Sequence, residues 1–376
     1  MPKDEVLILS DSFYTASSWS QEIIAGFRDA AAKNRDTLHI RICEMKSIDE
    51  QALDPANPVV LTNCSLYNLT TAIQRLQERG IPLILSGVDG AHFGSNVSSV
   101  TCDRTLAMTQ MVQYLLYHGK TRIALAGFWP SSKNDMAFCE AAVAASKQFG
   151  HSIEAHSIYL WRQQLSESLN RFMQERGNYD AVICPNDTIA ICLVRVCREQ
   201  GLRIPEDLFI TGASNMRISQ EFEPSITTIG MDFWEIGRET YHARRYLLQQ
   251  AGRCSCIRLS IPAHIIPRKS TANLPLPSQV HRDHVGLSQP MEMKNNFFMD
   301  PMINPLIRFE DCLSNRDETD KKIIIAIIQG KSYEEMEDML FLSSSAIRYR
   351  RNKIFQDAGV SNRAEFEKLL TELYSI

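Results

Sequence analysis

The most chemically distinctive part of the sequence is a short basic segment near the carboxyl end. Three arginines and one lysine fall within residues 348–353, and no acidic residue lies between Ser343 and Phe355. Positive charge is therefore concentrated in this segment, although the net charge of the whole chain is −4. Guanidinium and ammonium groups bind phosphate oxygens, and arginine and asparagine read base edges. The segment predicts contact with double-stranded DNA; a solvated face of a small helical bundle is the alternative.

Helical spacing positions this basic segment. Ser343 or Ser344 can cap the amino end of a helix, and Gly359 can end it in the left-handed conformation. Four short helical patterns follow one another over residues 317–376, which predicts a compact all-helical module. Three apolar residues of the basic helix recur at i, i+7 and i+8 and form one buried stripe: Ile347, Ile354 and Phe355.

The carboxyl-terminal residues resemble the LuxR/GerE-type helix-turn-helix family. LFLSSSAIRYRRNKIF, followed by GVSNRAEF, is similar to that family's recognition helix and the tail behind it, and the resemblance covers about residues 317–373. It implies that Arg348, Tyr349 and Asn352 face base edges, whereas Arg351 and Lys353 reach phosphates. The preceding helix, SYEEMEDML, is more acidic than the family pattern. The expected DNA-binding residues are Ser344, Ser345, Arg348, Tyr349, Arg351, Asn352 and Lys353.

Polar and aromatic residues follow the ends of short apolar strands in the first 270 residues. VLILS, VVLTN, PLILS, RIALAG, AVICP and LFITG are separated by helical patterns, which is typical of parallel sheets covered on both faces. This alternation of strands and helices occurs twice along the chain. It predicts two α/β lobes, with a ligand cleft beyond the carboxyl ends of the strands. The candidate ligand-binding residues are Asp11, Phe13, Tyr14, Asn63, Asp103, Trp129, Asn186, Ser214 and Asn215.

Helix capping is the simpler explanation for two acidic residues near the expected cleft. Asp187 precedes the helix that ends at Gly201, and Asp103 precedes the helix that ends at Gly119. Aspartate is a favoured cap, because its carboxylate accepts hydrogen bonds from free backbone amides. We therefore expect Asp187 to cap its helix. For Asp103, both helix capping and ligand binding remain open.

This part of the chain resembles the periplasmic-binding-protein-like core of LacI/GalR-type regulators. SVTCDRTLAMTQMVQYLLYHGKTRIALAG, YDAVICPNDTIAICLVRVCREQGLRIPEDLFITG and FEPSITTIGMDFWEIG carry the resemblance, which spans about residues 4–271. It implies a small-molecule sensor, although Phe138 and Ser214 stand where many members have arginine and aspartate. The implied crossovers lie near residues 127–129, 230–232 and 252–256. Lobe 1 would hold about 4–127 and 232–252, and lobe 2 about 128–230 and 256–270.

These patterns give the expected domain organisation. We predict a two-lobed α/β periplasmic-binding-protein-like (type I) domain over residues 1–272, and a proline-containing linker over 273–316. An all-α four-helix helix-turn-helix domain follows over 317–376. The LacI/GalR family carries its DNA-binding headpiece before the sensor. Met1 lies only a few residues before the first strand, so we expect DNA binding at the opposite end.

Composition and missing motifs exclude several other classes. No 18-residue apolar run is present, and Asp4 and Glu5 precede the first strand, so we expect a cytoplasmic protein without a signal peptide or membrane span. None of the ten cysteines form a CxxC pair, which favours reduced thiols. No nucleophile elbow, P-loop or HExxH motif indicates an enzyme, and His281 and His284 are expected in a solvated loop. We expect no metal and no cofactor.

The combined expectation is a homodimeric, sequence-specific transcription regulator controlled by a small, sugar-like or related metabolite. Phe138 and Ser214 argue against a standard sugar. Two alternatives remain for the front domain. It could act as a receiver of the response-regulator type, although the acidic pair after the first strand is missing. It could also be a ligand-independent scaffold for dimerisation or partner docking.

Overall fold

The computed structural model divides the chain into two compact units, Met1–Val285 and Gly286–Ile376. None of the helices in the described part of the chain is long and apolar enough to cross a membrane. The described residues are 5–10, 17–62, 66–250, 253–277 and 316–374.

Short apolar strands build the amino-terminal unit. The side chains of the central strands are almost all buried, as expected for a sheet covered on both faces, whereas those of the edge strands are partly exposed. In chain order the described strands are β1 Glu5–Leu9, β2 His39–Cys43, β3 Val59–Leu61, β4 Leu83–Ser86, β5 Ser98–Cys102, β6 Ile123–Phe128, β7 Ile158–Leu160, β8 Ala181–Ile183, β9 Phe209–Ala213, β10 Thr227–Met231, β11 Arg258–Ile261 and β12 Ala263–Ile266.

The strands form two six-stranded sheets, which confirms the predicted two-lobed α/β architecture. The first sheet has the order β11-β5-β4-β3-β1-β2, and all its described pairs are parallel. The second has the order β12-β10-β9-β8-β6-β7, with β12 antiparallel to β10. A receiver domain has a single five-stranded sheet, so this architecture argues against the response-regulator alternative.

Helices cover the sheets and connect their strands. The described α-helices of this unit are α1 Ser18–Lys33, α2 Leu66–Glu78, α3 Arg104–Tyr117, α4 Lys133–Gln148, α5 Leu165–Glu175, α6 Asp187–Glu199, α7 Arg217–Glu221 and α8 Phe233–Gln249.

Two glycines allow α1 and α8 to pack backbone against backbone. A Cβ atom on Gly26 would lie 2.0 Å from the Trp234 carbonyl oxygen, and one on Gly237 would lie 1.9 Å from the Ile23 carbonyl oxygen. Real Cβ atoms do not approach oxygen this closely, so any larger residue would push the two helices apart. These helices come from opposite ends of the unit and together cover one face of the first sheet.

The chain crosses between the lobes at points that differ from two of the predicted ones. β6 was expected in lobe 1 but pairs with β8 in the second sheet. β11 was expected in lobe 2 but pairs with β5 in the first sheet, so both of these lobe assignments were wrong. The first crossing follows β5 at Asp103, because α3 already packs against the second sheet. The last crossing is at Pro262, between β11 and β12. Strands of both sheets show the same apolar pattern, so the sequence could not assign them to a lobe.

Four helices form the described part of the carboxyl-terminal unit: α9 Glu318–Ile328, α10 Tyr333–Leu340, α11 Ser344–Asp357 and α12 Arg363–Tyr374. Ser332 and Glu335 form a capping box at the start of α10. Ser343 caps α11, and Gly359 follows it with a φ of +71°, as predicted. The described helices share one core, which includes Ile323, Ile324, Ile327, Met336, Ile347, Ile354, Phe355 and Phe366.

Candidate functional site

A cavity of about 510 Å³ lies between the two lobes. Strands β5 and β11 form one wall, and α4 forms the other. Three small residues of α4, Ala137, Ala141 and Ala144, leave the space open. The cavity can hold a small organic molecule, because its volume falls in the range of ligand pockets. Its charged and amide-bearing lining residues are Asp89, His92, Asp103, Arg104, Asn134, Glu140 and Arg258.

Arg104 is a buried cation at the edge of this cavity. Its guanidinium lies over the Phe138 ring, 5.7 Å from the centroid, so a cation stands beside the position where the family pattern has arginine. Its Nη2 donates to the Gly87 carbonyl oxygen at 2.7 Å, and Nη1 donates to the Thr101 hydroxyl. Only 7% of Arg104 is exposed. Two of its nitrogens therefore hold protein groups together through neutral acceptors, and its buried Nε has no hydrogen-bond partner among the described residues.

The lobes contact each other directly beside Arg104. Asn134 on α4 donates from Nδ2 to the same Gly87 carbonyl oxygen at 3.2 Å. Nearby, the Leu66 amide at the start of α2 donates to the Ser131 carbonyl oxygen at 3.0 Å. Two donors from the second lobe and its crossover thus converge on one carbonyl of the first lobe, and we call this arrangement the Gly87 latch.

Three carboxylates add hydrogen-bond acceptors to the cavity. Asp103 caps α3 through a 2.9 Å hydrogen bond from the Leu106 amide, and Asp89 likewise accepts from the Ala91 amide at 2.9 Å. Each aspartate keeps a second oxygen, and the exposed Glu140 extends the series from α4. Carboxylate oxygens of this kind accept hydrogen bonds from hydroxyl or amine groups. Asp89, Asn134 and Glu140 were missed from the sequence, although Asp89 follows a strand by three residues.

Trp129 follows β6 at the carboxyl edge of the second sheet and belongs to an aromatic pair. Its ring centroid lies 6.2 Å from that of Trp161, which follows the neighbouring strand β7. The Trp129 amide donates to Asp135 at 3.0 Å, and burial raises the pKa of that carboxyl. Trp161 was missed, although its place directly after a short strand was a usable signal. Both rings lie outside the cavity lining.

The expected cap of α6 was wrong by one residue. Asn186 caps the helix, because its Oδ1 accepts from the Ile189 amide at 3.0 Å. Asp187 is fully buried and receives hydrogen bonds from the Thr228 hydroxyl (2.6 Å), the Ser219 hydroxyl (2.7 Å) and the Met216 amide (2.8 Å). Burial raises the pKa of Asp187, and these hydrogen bonds act against that rise. Asp187 therefore ties α6 to β10 and α7.

Ser214 and Asn215 follow β9 with positive φ angles of 98° and 52°. Asn215 accepts a hydrogen bond from Arg268, which also donates to the Ile226 carbonyl oxygen at 2.8 Å. Asn215 is thus engaged within the second lobe. Of the described ligand candidates, Asp103 lines the cavity, whereas Trp129, Asn186, Ser214 and Asn215 do not. Asp11, Phe13, Tyr14 and Asn63 lie outside the described residues.

A separate candidate interface lies on α11 of the carboxyl-terminal unit. Its buried side contains Ile347, Ile354 and Phe355, as predicted. A second stripe runs along the opposite side at i, i+3, i+4 and i+7, and its side chains are exposed: Ser345, Arg348, Tyr349 and Asn352. Lys353 is also exposed, whereas Ser344 and Arg351 are half-buried. One side of the helix is therefore anchored, and the other presents donors and a phenol.

The arginines of α11 differ in their availability. Arg350 donates to Asp317 at 2.7 Å and to Asp320 at 2.8 Å, so α9 already neutralises it. The Arg350 guanidinium lowers the pKa of Asp317. Arg351 donates to the Tyr333 hydroxyl and to Asn352 Oδ1. The positive charge of the basic segment is therefore partly neutralised on the side facing α9.

Metal binding has no support in the described residues, which hold no group of three or more histidine, cysteine, aspartate or glutamate side chains suited to an ion. His281 and His284 lie outside the described residues. The eight cysteines within the described segments are free thiols, and four of them are buried.

Sequence comparison finds similarity in the amino-terminal unit. Residues 112–271 match the family model described as a periplasmic binding protein-like domain. The HTH-type transcriptional regulator CelR of Thermobifida fusca is 25% identical over 211 residues, which cover 55% of this chain and 61% of CelR. Catabolite control protein A of Staphylococcus epidermidis is 24% identical over 163 residues, which cover 43% of this chain and 49% of that protein. The chain thus spans about half the length of the curated relatives it matches.

Solved structures share the fold of this unit. The CelR–cellobiose complex superposes with a TM-score of 0.63 at 19% identity, covering 71% of this chain and 84% of CelR. Transcription regulator CcpA of Lactococcus lactis gives a TM-score of 0.59 at 18% identity, with coverages of 71% and 99%. CelR and the Lactococcus lactis protein are named as transcription regulators. Together with the two six-stranded sheets, these matches assign the amino-terminal unit to the two-lobed periplasmic-binding-protein-like fold.

Proposed function

We propose that this chain is a sequence-specific, homodimeric DNA-binding transcription regulator whose two-lobed domain binds a small-molecule effector. The observation that carries the proposal is the exposed stripe on α11. Arginine and asparagine side chains at this spacing can contact successive base edges when a helix enters the major groove. We interpret the carboxyl-terminal helices as the helix-turn-helix domain that the LuxR/GerE resemblance suggested, with Lys353 reaching phosphate.

The similar proteins support the regulatory part of the proposal. CelR and CcpA of Lactococcus lactis are named as transcription regulators, and the solved CelR complex contains cellobiose. The family match lies within the two-lobed domain, so the DNA-binding part rests on the charge and exposure of α11. Saccharides are the first compounds to test as effectors, because the carboxylates of the cavity can accept hydrogen bonds from hydroxyl groups.

Genomic footprinting of the full-length protein, followed by titration of a recovered site, tests DNA binding. We expect Arg348→Ala to reduce discrimination between the site and a scrambled duplex by roughly five- to 100-fold, the range for a base contact. Lys353→Ala should weaken binding to both duplexes and lower the salt slope by about one. Arg350→Gln is the charge-matched control, because α9 holds Arg350, and it should preserve discrimination. Specific binding unchanged by both Arg348→Ala and Lys353→Ala would refute the α11 interface.

Thermal-shift screening tests effector binding. A ligand present at 100 times its dissociation constant stabilises the folded state by about 2.7 kcal/mol. Glu140→Ala should remove this stabilisation without lowering the melting temperature of the free protein, because Glu140 is exposed at the cavity. Glu167→Ala, an exposed glutamate on α5 outside the lining, is the control. A full shift with Glu140→Ala would place the effector elsewhere.

The Gly87 latch favours a second candidate, a ligand-independent scaffold. It joins the lobes through hydrogen bonds between protein groups, which could hold them together without an effector. In that case cellobiose, other saccharides, nucleosides and polyols would produce no thermal shift. DNA binding by the full-length protein would also be the same with and without each compound.

A further inference from the structure

A chain of contacts fixes the orientation of the Asn352 amide. Arg351 donates to Asn352 Oδ1 from Nη2 at 2.7 Å and from Nε at 3.2 Å. A guanidinium group has donors only, so the atom that faces it must be the amide oxygen. Two hydrogen bonds use the two lone pairs of that oxygen. The exposed Asn352 side chain therefore retains only its Nδ2 donors for an external partner.

Arg351 is itself held by groups that belong to the core of the unit. Its Nη1 donates to the Tyr333 hydroxyl, and its guanidinium lies over the Tyr333 ring at 5.3 Å and the Phe355 ring at 5.5 Å. Tyr333 begins α10 directly after the capping residue Ser332, and Phe355 is 4% exposed. Stacking on two anchored rings limits the rotamers of Arg351. Arg351 is therefore fixed before any ligand arrives.

We propose that Tyr333 and Arg351 are positioning residues that present Asn352 to DNA as a hydrogen-bond donor, so that Asn352 reads guanine and not adenine. The inference rests on the proposed DNA-binding function. Bidentate recognition of adenine requires an amide that donates to N7 and accepts from N6. Guanine presents two acceptors, N7 and O6, which suit a group with donors only. Arg351 consequently acts through Asn352, in place of the phosphate contact that the sequence suggested.

Selection from a randomised duplex library with the full-length protein tests this inference. The wild type should recover a site in which one guanine is preferred by roughly tenfold over adenine, and Asn352→Ala should lose the preference at that position only. Arg351→Met removes the guanidinium that faces Asn352 Oδ1, so the amide can turn and the same position should admit adenine as well as guanine. Tyr333→Phe keeps the ring but removes the hydroxyl that accepts from Arg351, so it should cause the same change to a smaller degree. Tyr246→Phe, at an exposed tyrosine of the other unit, should leave every position unchanged.

The outcomes separate the two levels of the proposal. Recovery of no preferred sequence by the wild type would refute the proposed function itself. Recovery of a site in which Asn352→Ala removes an adenine, or removes no position, would overturn the inference alone. Melting temperatures of Tyr333→Phe and the wild type should agree. If Tyr333→Phe weakened all positions equally, Tyr333 would be a purely structural residue, and the inference would also be overturned.

Discussion

At the scale of single residues, Gly212 shows how the absence of a side chain makes room for the buried Asp187 carboxylate. A Cβ atom there would lie 2.5 Å from Asp187 Oδ1 and 2.9 Å from the Asp187 Cα atom. We expect Gly212→Ala to lower the free energy of unfolding by about 1–3 kcal/mol, the cost of overpacking. Urea denaturation measures the change. Gly177→Ala is the control, because no atom lies within 4 Å of its added Cβ; an equal loss in both variants would contradict the steric argument.

The titration of Asp187 gives a second prediction at this scale. Burial raises its pKa above 3.8 in the folded state, so its contribution to stability is fully present below pH 3.8 and is lost as the pH rises through the folded value. We expect Asp187→Asn to lack this part of the pH dependence. Denaturant unfolding of both proteins between about pH 4 and 7 compares the slopes. Identical slopes would mean that Asp187 titrates alike in the folded and unfolded chains.

At the scale of elements, the Gly87 latch makes α4 a clamp between the lobes. Asn134→Ala removes one of its two donors, and we expect the open form to become roughly five times more populated, the effect of a hydrogen bond worth about 1 kcal/mol. Small-angle X-ray scattering of the full-length Asn134→Ala variant should therefore give a larger radius of gyration than that of the wild type. Lys133→Ala, at the neighbouring residue, should not change the scattering curve, and a change common to both variants would argue against the clamp.

The elements also explain what the sequence could and could not predict. The apolar runs of β4 and β8 and the spacing of Ile347 and Ile354 come from local periodicity, which burial on one or two faces imposes directly. The lobe that receives β6 or β11 depends on which sheet edge is free, and local sequence does not encode that. Pairing between distant side chains is equally hidden.

The candidate sites follow the same division between local and distant information. The exposed stripe of α11 was predictable, because it follows from one helix with a buried face. Neutralisation of Arg350 by Asp317 and Asp320, and the hold of Tyr333 on Arg351, were not, because each joins two helices. In the amino-terminal unit, the cavity lies beside β5 and β11 and not only beyond the carboxyl ends of the strands, so most of its lining was missed.

At the scale of the whole molecule, we expect two copies of the chain on each DNA site. One helix of the size of α11 reads a single half-site, and specificity is usually obtained from two half-sites about 34 Å apart. Analytical ultracentrifugation of the full-length protein with its footprinted site should give the mass of two chains per duplex. A duplex carrying one half-site should bind much more weakly. One chain per duplex with full affinity would contradict the dimer.

The packing of α1 on α8 can form only late in synthesis, after α8 has been translated. Gly26 and Gly237 are separated by 211 residues, so the apolar face of α1 waits for its partner while those residues are translated. At about 5–20 residues per second this interval lasts roughly 10–40 seconds. During that time Ile23 and Phe27, which are buried in the finished protein, lack the helix that covers them. A nascent chain that stops before α8 would keep this surface open to chaperones and proteases, so the late contact acts as a test of completeness.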